Sequence, residues 1–178
     1  MSKRIVILLW LSLSLLLGGC LGMPEGVEPV EDFDRGAYLG TWYEIARLDH
    51  SFERGLSRVT ADYSLRDDGG LRVINRGYDA ASGEWQSAEG RAYFVDSPQR
   101  GHLRVSFFGP FYSSYVVFEL DRERYQYAFV SGYNREYLWL LARTPEVSPE
   151  LIQSFREKAR QLGFAVDELI YPEQSPAP

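Results

Sequence analysis

The chain has 178 residues, 45% of them hydrophobic, which is enough for one cored domain. Its formal charge of −6 argues against a nucleic-acid partner, because an acidic surface repels phosphate backbones. One cysteine excludes an internal disulfide, and two distant histidines give no metal-ligand spacing, so no metal and no cofactor are expected.

The first elements read as targeting rather than fold. Lys3 and Arg4 precede an apolar run over residues 5–17, interrupted only by Ser12 and Ser14. That run is short for a membrane span and has the flanks of a signal peptide. Leu17-Gly18-Gly19-Cys20 resembles a bacterial lipobox, which implies lipidation of Cys20 and a signal peptide over residues 1–19. Leu21, rather than Asp, follows that cysteine, which implies export to the outer membrane, facing the periplasm by default. Residues 20–31 then carry Gly22, Pro24, Gly26 and Pro29 and read as an extended tether.

A run of strands follows, the first over residues 41–48. Residues 58–66 alternate cleanly, with Val59, Ala61, Tyr63 and Leu65 against Thr60, Asp62, Ser64 and Arg66, a period of two. Asp67-Asp68-Gly69-Gly70 is a tight turn. Strands are expected over 71–78 and 85–95, with Gly90 marking a bulge or bend. Four more are expected over 103–108, 115–120, 125–131 and 137–143. The connections are short, so neighbours run antiparallel and about eight strands close into a barrel. Ser148-Pro149-Glu150 starts a helix, with an N-cap serine, proline in the first turn and an acid at the positive dipole end. Leu151, Ile152, Phe155, Ala159 and Leu162 share one face and Gly163 ends it, so the helix packs outside the barrel. Residues 166–171 suggest a short last strand. The domain is drawn over residues 32–172, with a disordered tail over 173–178.

Gly40-Thr41-Trp42 at the start of the first strand, Trp139-Leu140-Leu141-Ala142-Arg143 about a hundred residues later, and the strands between with a helix after resemble the lipocalin family. The likeness spans roughly residues 34–170 and is nearest the bacterial outer-membrane members and apolipoprotein D. It implies an all-β, eight-stranded up-and-down barrel with one C-terminal helix. It also implies a structural role for Gly40, Trp42 and Arg143, with Arg143 stacked on Trp42 at the closed end, a contact worth ~0.5–2 kcal/mol. Leu120-Asp121-Arg122 stands where the family often has Thr-Asp-Tyr, which removes the usual ground for receptor docking.

With Trp42 pointing inward, parity places Glu44, Ala46 and Leu48 inward, and Tyr137, Trp139 and Leu141 by counting back from Arg143. The family match adds Val59, Ala61, Tyr63, Val73 and Asn75, and Ala92, Phe94, Val105, Phe107, Tyr115, Val117, Ala128 and Val130 follow on the later strands. Such a lining suits an apolar tail with a polar end. The expected ligand-binding residues are Trp42, Tyr63, Asn75, Phe107, Tyr115, Val117 and Trp139. The expected ligand is a single-chain lipid, a fatty acid or lysophospholipid, carried or stored for the outer membrane, and the acidic charge argues against strong selection of anionic headgroups unless Arg72, Arg76 or Arg91 rims the mouth. A scaffold lipoprotein with an incidental pocket is the alternative. An enzyme on this fold would need paired acid–base groups, and Glu44 and Glu119 are the only candidates, with nothing to pair them. His50 falls in a loop over the barrel mouth and His102 on a solvent-side strand position. Val116 and Phe118 beside Tyr115 and Val117 make one strand apolar on both faces, which leaves a homodimer open.

Overall fold

The computed structural model describes residues 21–174. The expected signal peptide over residues 1–19, the expected lipidation site Cys20 and the last four residues lie outside the described residues. A short helix α1 (Arg35–Tyr38) leads into eight strands: β1 (Gly40–Arg47), β2 (Leu56–Leu65), β3 (Leu71–Asp79), β4 (Glu84–Phe94), β5 (His102–Ser106), β6 (Ser113–Leu120), β7 (Tyr127–Ser131) and β8 (Leu138–Ala142). Each pairs antiparallel with its neighbour, and β8 pairs back onto β1, so the barrel closes with no free edge. The longer helix α2 (Pro149–Gln161) follows, with the Ser148 hydroxyl accepting from the Leu151 N–H. Gly163, at φ +81°, ends it in a conformation that an L side chain would strain.

Two apolar cores form on the two faces of the sheet. The inner one holds Trp42, Tyr63, Val73, Leu103, Val117 and Leu141. The outer one lies under α2, where Phe155 meets Phe129 edge-on at 5.0 Å, with Val116, Phe118, Leu138 and Leu140 around them. The two-faced apolar pattern of β6 therefore comes from the helix lying over it, and it gives no ground for a dimer.

Three bulges break the parity of the strands. On β1 the register shifts between Glu44 and Ala46. Ile45 and Ala46 both turn outward into the core under α2. Ala46 and Leu48, expected inside, are thus outside, and Arg47 points in instead. On β2 the extra residue falls between Ser57 and Thr60, where Arg58 has φ +52°. On β6 the shift between Val117 and Glu119 turns Glu119 outward toward Lys158, at 3.6 Å, so Glu119 does not face the interior. Gly90 carries no bulge, since the β3–β4 ladder runs through it without a break. Its lack of a side chain admits the Phe107 ring, which lies 2.8 Å from where a Cβ would sit.

The flanking segments differ from the sequence expectation. Residues 21–31 lie on the barrel rather than extending away: Val27 and Val30 are buried, and the Val30 N–H donates to the Val117 carbonyl. This segment also covers His102, which is buried beside Ser114 and not solvent-facing. Residues 166–168 form a 3₁₀ turn, and only Ile170 pairs with Arg47 in place of a last strand. Glu173 and Gln174 are held too. The Arg58 N–H donates to the Glu173 carbonyl, and the Gln174 amide donates to the carbonyls of Glu44 and Val59. The C-terminal segment thereby satisfies the backbone groups that the first two bulges leave unpaired.

Candidate functional site: a blind cavity in the barrel

The floor is built at the start of β1. The Arg143 guanidinium lies 3.9 Å from the centre of the Trp42 ring system. It donates to the carbonyls of Thr41, Ala37 and Leu39 at 2.8–2.9 Å and to that of Tyr125 at 3.3 Å. Trp42 is fully buried, and its indole N–H donates to the Tyr38 carbonyl. Gly40 takes φ +89°, and a Cβ there would come within 3.5 Å of the Arg143 guanidinium. Phe33 closes the same end, its ring against Tyr38, Phe94 and Tyr125.

Above this floor is a cavity of about 460 Å³, open at the opposite end. That volume falls within the ~300–1,000 Å³ of small-molecule sites. Of the sequence-expected ligand residues, Tyr63, Asn75, Phe107, Tyr115 and Trp139 line it. Trp42 and Val117 lie in the inner core beneath it and do not line it. Val59, Ala61 and Val73, expected inside from the family match, and Ala92, Val105, Tyr137 and Leu141, expected inside on the later strands, also line it. Three phenols cluster low in the cavity: the Tyr63 hydroxyl donates to Tyr115 at 2.9 Å, and Tyr115 shares a 2.7 Å hydrogen bond with Tyr38. Burial raises all three above the ordinary phenol range, so they are neutral hydroxyls at pH 7. Asn75 Oδ1 is buried and has no hydrogen-bond partner among the described residues. Of the three arginines that could rim the mouth, Arg76 lines the cavity, Arg72 is paired with Glu89 on the outside, and Arg91 stacks over Tyr112.

One side of the cavity wall is charged, which sequence reasoning missed. Arg47, brought in by the β1 bulge and 1% exposed, donates to Glu44 Oε1 and to the Glu53 carbonyl. Glu53 Oε2 accepts from the Trp139 indole at 3.2 Å. The Glu44 and Glu53 carboxyls also hydrogen-bond to each other. Glu44 thus has two partners, against the expectation that nothing pairs it. His50 Nε2 lies 3.2 Å from Glu53 Oε2, without the alignment of a hydrogen bond, and its ring stacks on Phe52 at 4.0 Å. The 48–55 loop is therefore tied down over one edge of the mouth, where the sequence reading placed His50. The bulge is the feature that hid Arg47, since no residue pattern in β1 marks it.

Burial first, and the facing carboxylate second, raise Glu44 well above the usual carboxylate range; burial also raises Glu53. Arg47 compensates one negative charge, so the pair shares a proton. Burial, then the Arg47 cation, lowers His50 to about 4, so its imidazole is neutral at pH 7.

A closed antiparallel barrel with one blind, apolar cavity defines a small-molecule-binding cup. The family model of the lipocalin-like domain matches residues 33–174. Outer membrane lipoprotein Blc of Vibrio cholerae is 63% identical over 161 residues, covering 90% of this chain and 94% of that one. Apolipoprotein D of Bos taurus is 30% identical, covering 91% and 93%. Insecticyanin from the tobacco hornworm superposes with a TM-score of 0.69 at 22% identity, covering 86% and 87%, a likeness of fold. The chain belongs to the lipocalin family, whose members named here point to binding proteins rather than enzymes.

Replacing Arg143 by Ala removes the stacked cation and the donor to four carbonyls. It is expected to cost about 2–3 kcal/mol in urea unfolding. The shared proton has a pH consequence. A carboxyl pair with a raised folded-state pKa holds a proton that the unfolded chain has already released, so stability falls as pH rises above the ordinary carboxylate range. His50 acts in the opposite sense between about 4 and 6.5, so the carboxyl contribution is read as the difference between wild type and Glu53→Gln. From the ordinary carboxylate range upward the wild-type unfolding free energy is expected to fall with rising pH relative to that variant, by at most ~1.4 kcal/mol per pH unit for one proton.

Proposed function

We propose that this protein is a lipid-anchored carrier of the outer membrane that binds one single-chain lipid, a fatty acid or lysophospholipid, in its barrel cavity. The observation that carries the reading is the cavity itself: apolar walls, a sealed floor and one open end. The family and the relatives named outer membrane lipoproteins support both the lipid cargo and the location. The anchor would be Cys20, released as the mature N-terminus after the 1–19 signal peptide, and Leu21 after it favours the outer membrane, periplasmic face. Three acyl chains on that cysteine hold firmly, where one would not.

The energetics favour one tail. Each buried methylene gains roughly 0.8 kcal/mol against water, but the bilayer offers the same gain. A two-tailed phospholipid has little to gain by leaving the bilayer. A one-tailed lipid escapes more readily and suits a narrow cup. The tail would run down past Phe107, Val105 and Trp139 toward the three phenols. Its polar end would stay near the mouth, where Arg76 faces a phosphate or carboxylate and Asn75 Oδ1 accepts from a hydroxyl. The role is binding and delivery, with no chemistry performed on the cargo.

Displacement of a fluorescent fatty acid by palmitate and by lysophosphatidylethanolamine tests this. The expected result is saturable, one-site binding, weakened at least fivefold in Phe107→Asp, whose charge would enter the apolar wall. Failure of wild-type protein to bind either lipid would leave only the scaffold reading.

A further inference from the structure

Four of the seven large apolar side chains exposed on the described surface stand at the open end of the barrel. They are Phe52 at 53% exposure, Trp85 at 56%, Phe108 at 79% and Phe111 at 77%. Phe108 and Phe111 flank Gly109-Pro110 at the turn between β5 and β6, and with Phe52 they also line the cavity mouth. Neither core uses Phe108 or Phe111. We infer that the open end is a bilayer-docking surface, with the 107–112 turn inserting between the headgroups of an anionic phospholipid membrane. This rests on the carrier reading above and adds the route by which cargo enters and leaves.

Charge decides between a membrane and a second copy of the chain. The chain is acidic overall, yet Arg91 and Arg104 stand directly behind the phenyl turn. Both guanidiniums lie over Tyr112, at 5.7 and 5.1 Å, and Arg91 lies against Gly109, where a Cβ would come within 2.6 Å of Nη2. Among the described residues neither has a carboxylate within salt-bridge distance, unlike Arg54, Arg66, Arg72 and Arg100. Cations set just behind protruding aromatics match a headgroup layer, with rings at the acyl boundary and guanidiniums on phosphates. A symmetric pairing through the same patch would bring these cations toward their own copies and is disfavoured. At physiological salt screening acts over ~8 Å, so this local charge governs contact more than the distant acidic surface does.

Position agrees with charge. The phenyls that would enter the membrane are those that frame the cavity, so a tail could pass from bilayer to barrel without crossing water.

All eight strands, α2 and both cores lie within residues 21–174, so a chain starting at Leu21 carries the whole fold and separates docking from the anchor. It is to be floated with vesicles of phosphatidylcholine alone and of phosphatidylcholine with one-third phosphatidylglycerol. Wild-type protein is expected to float with the second. The Phe108→Ser/Phe111→Ser variant, and to a lesser degree Phe111→Ser alone, should lose at least tenfold in partitioning with unchanged melting temperature. Arg91→Gln/Arg104→Gln should reduce binding to the phosphatidylcholine level. No flotation of the wild type, or equal flotation of the serine variants, overturns the inference. So does a dimer in sedimentation that the serine variant abolishes while wild type ignores vesicles, which gives the patch to a second copy. The palmitate titration on the same samples separates the two failures. Saturable binding without flotation sinks only the docking; absent binding sinks the carrier reading beneath it.

Discussion

The contact between Arg143 and Trp42 is the constraint on which the rest of this molecule depends. An eight-stranded barrel is open at both ends unless side chains close one of them. Here a single guanidinium stacks on the indole and gathers carbonyls from α1, from β1 and from the β6–β7 connection. It joins the last strand to the first and fixes the depth of the cavity from below. Everything above the indole is then free to vary in shape, and in this chain it is an apolar cup with phenols at its base.

The closed end was legible through the family resemblance, because Gly40, Trp42 and Arg143 match residues whose roles the family fixes. Without that resemblance a glycine, a tryptophan two residues on and an arginine a hundred residues later would not have been joined. Strand order was legible for a different reason: alternation and short turns leave few topologies. The cavity wall was legible only where strands are regular. Parity held on β3, β4, β5 and β8, and it failed past the bulges of β1 and β6, where one extra residue reverses every later assignment. That is why Ala46 and Glu119 were expected inside and Arg47 was not. Cover by distant segments was equally hidden. His102 faces outward on its strand, as expected, and is buried because residues 21–31 return across it.

The β1 bulge gives the cavity a polar side that the composition does not suggest. One buried cation, two carboxyls sharing a proton and a neutral imidazole form a patch beside the apolar wall. Its net charge is low, which is the condition under which such groups tolerate burial. The same arginine ties the 48–55 loop to the barrel rim, so the mouth is shaped by a structural ion pair. A tail in the cup would therefore meet hydrocarbon along most of its length and a rigid polar edge on one side.

The central claim is that the space above the indole floor holds one hydrocarbon chain. Native mass spectrometry reads it directly, on protein extracted from its own membrane and stripped of detergent. The account predicts a population heavier than the bare chain by one mono-acyl lipid, restored after delipidation by adding lysophospholipid and saturating at one per protein. A protein that stays bare in both preparations, or that takes up lipid without a limit of one, would contradict it.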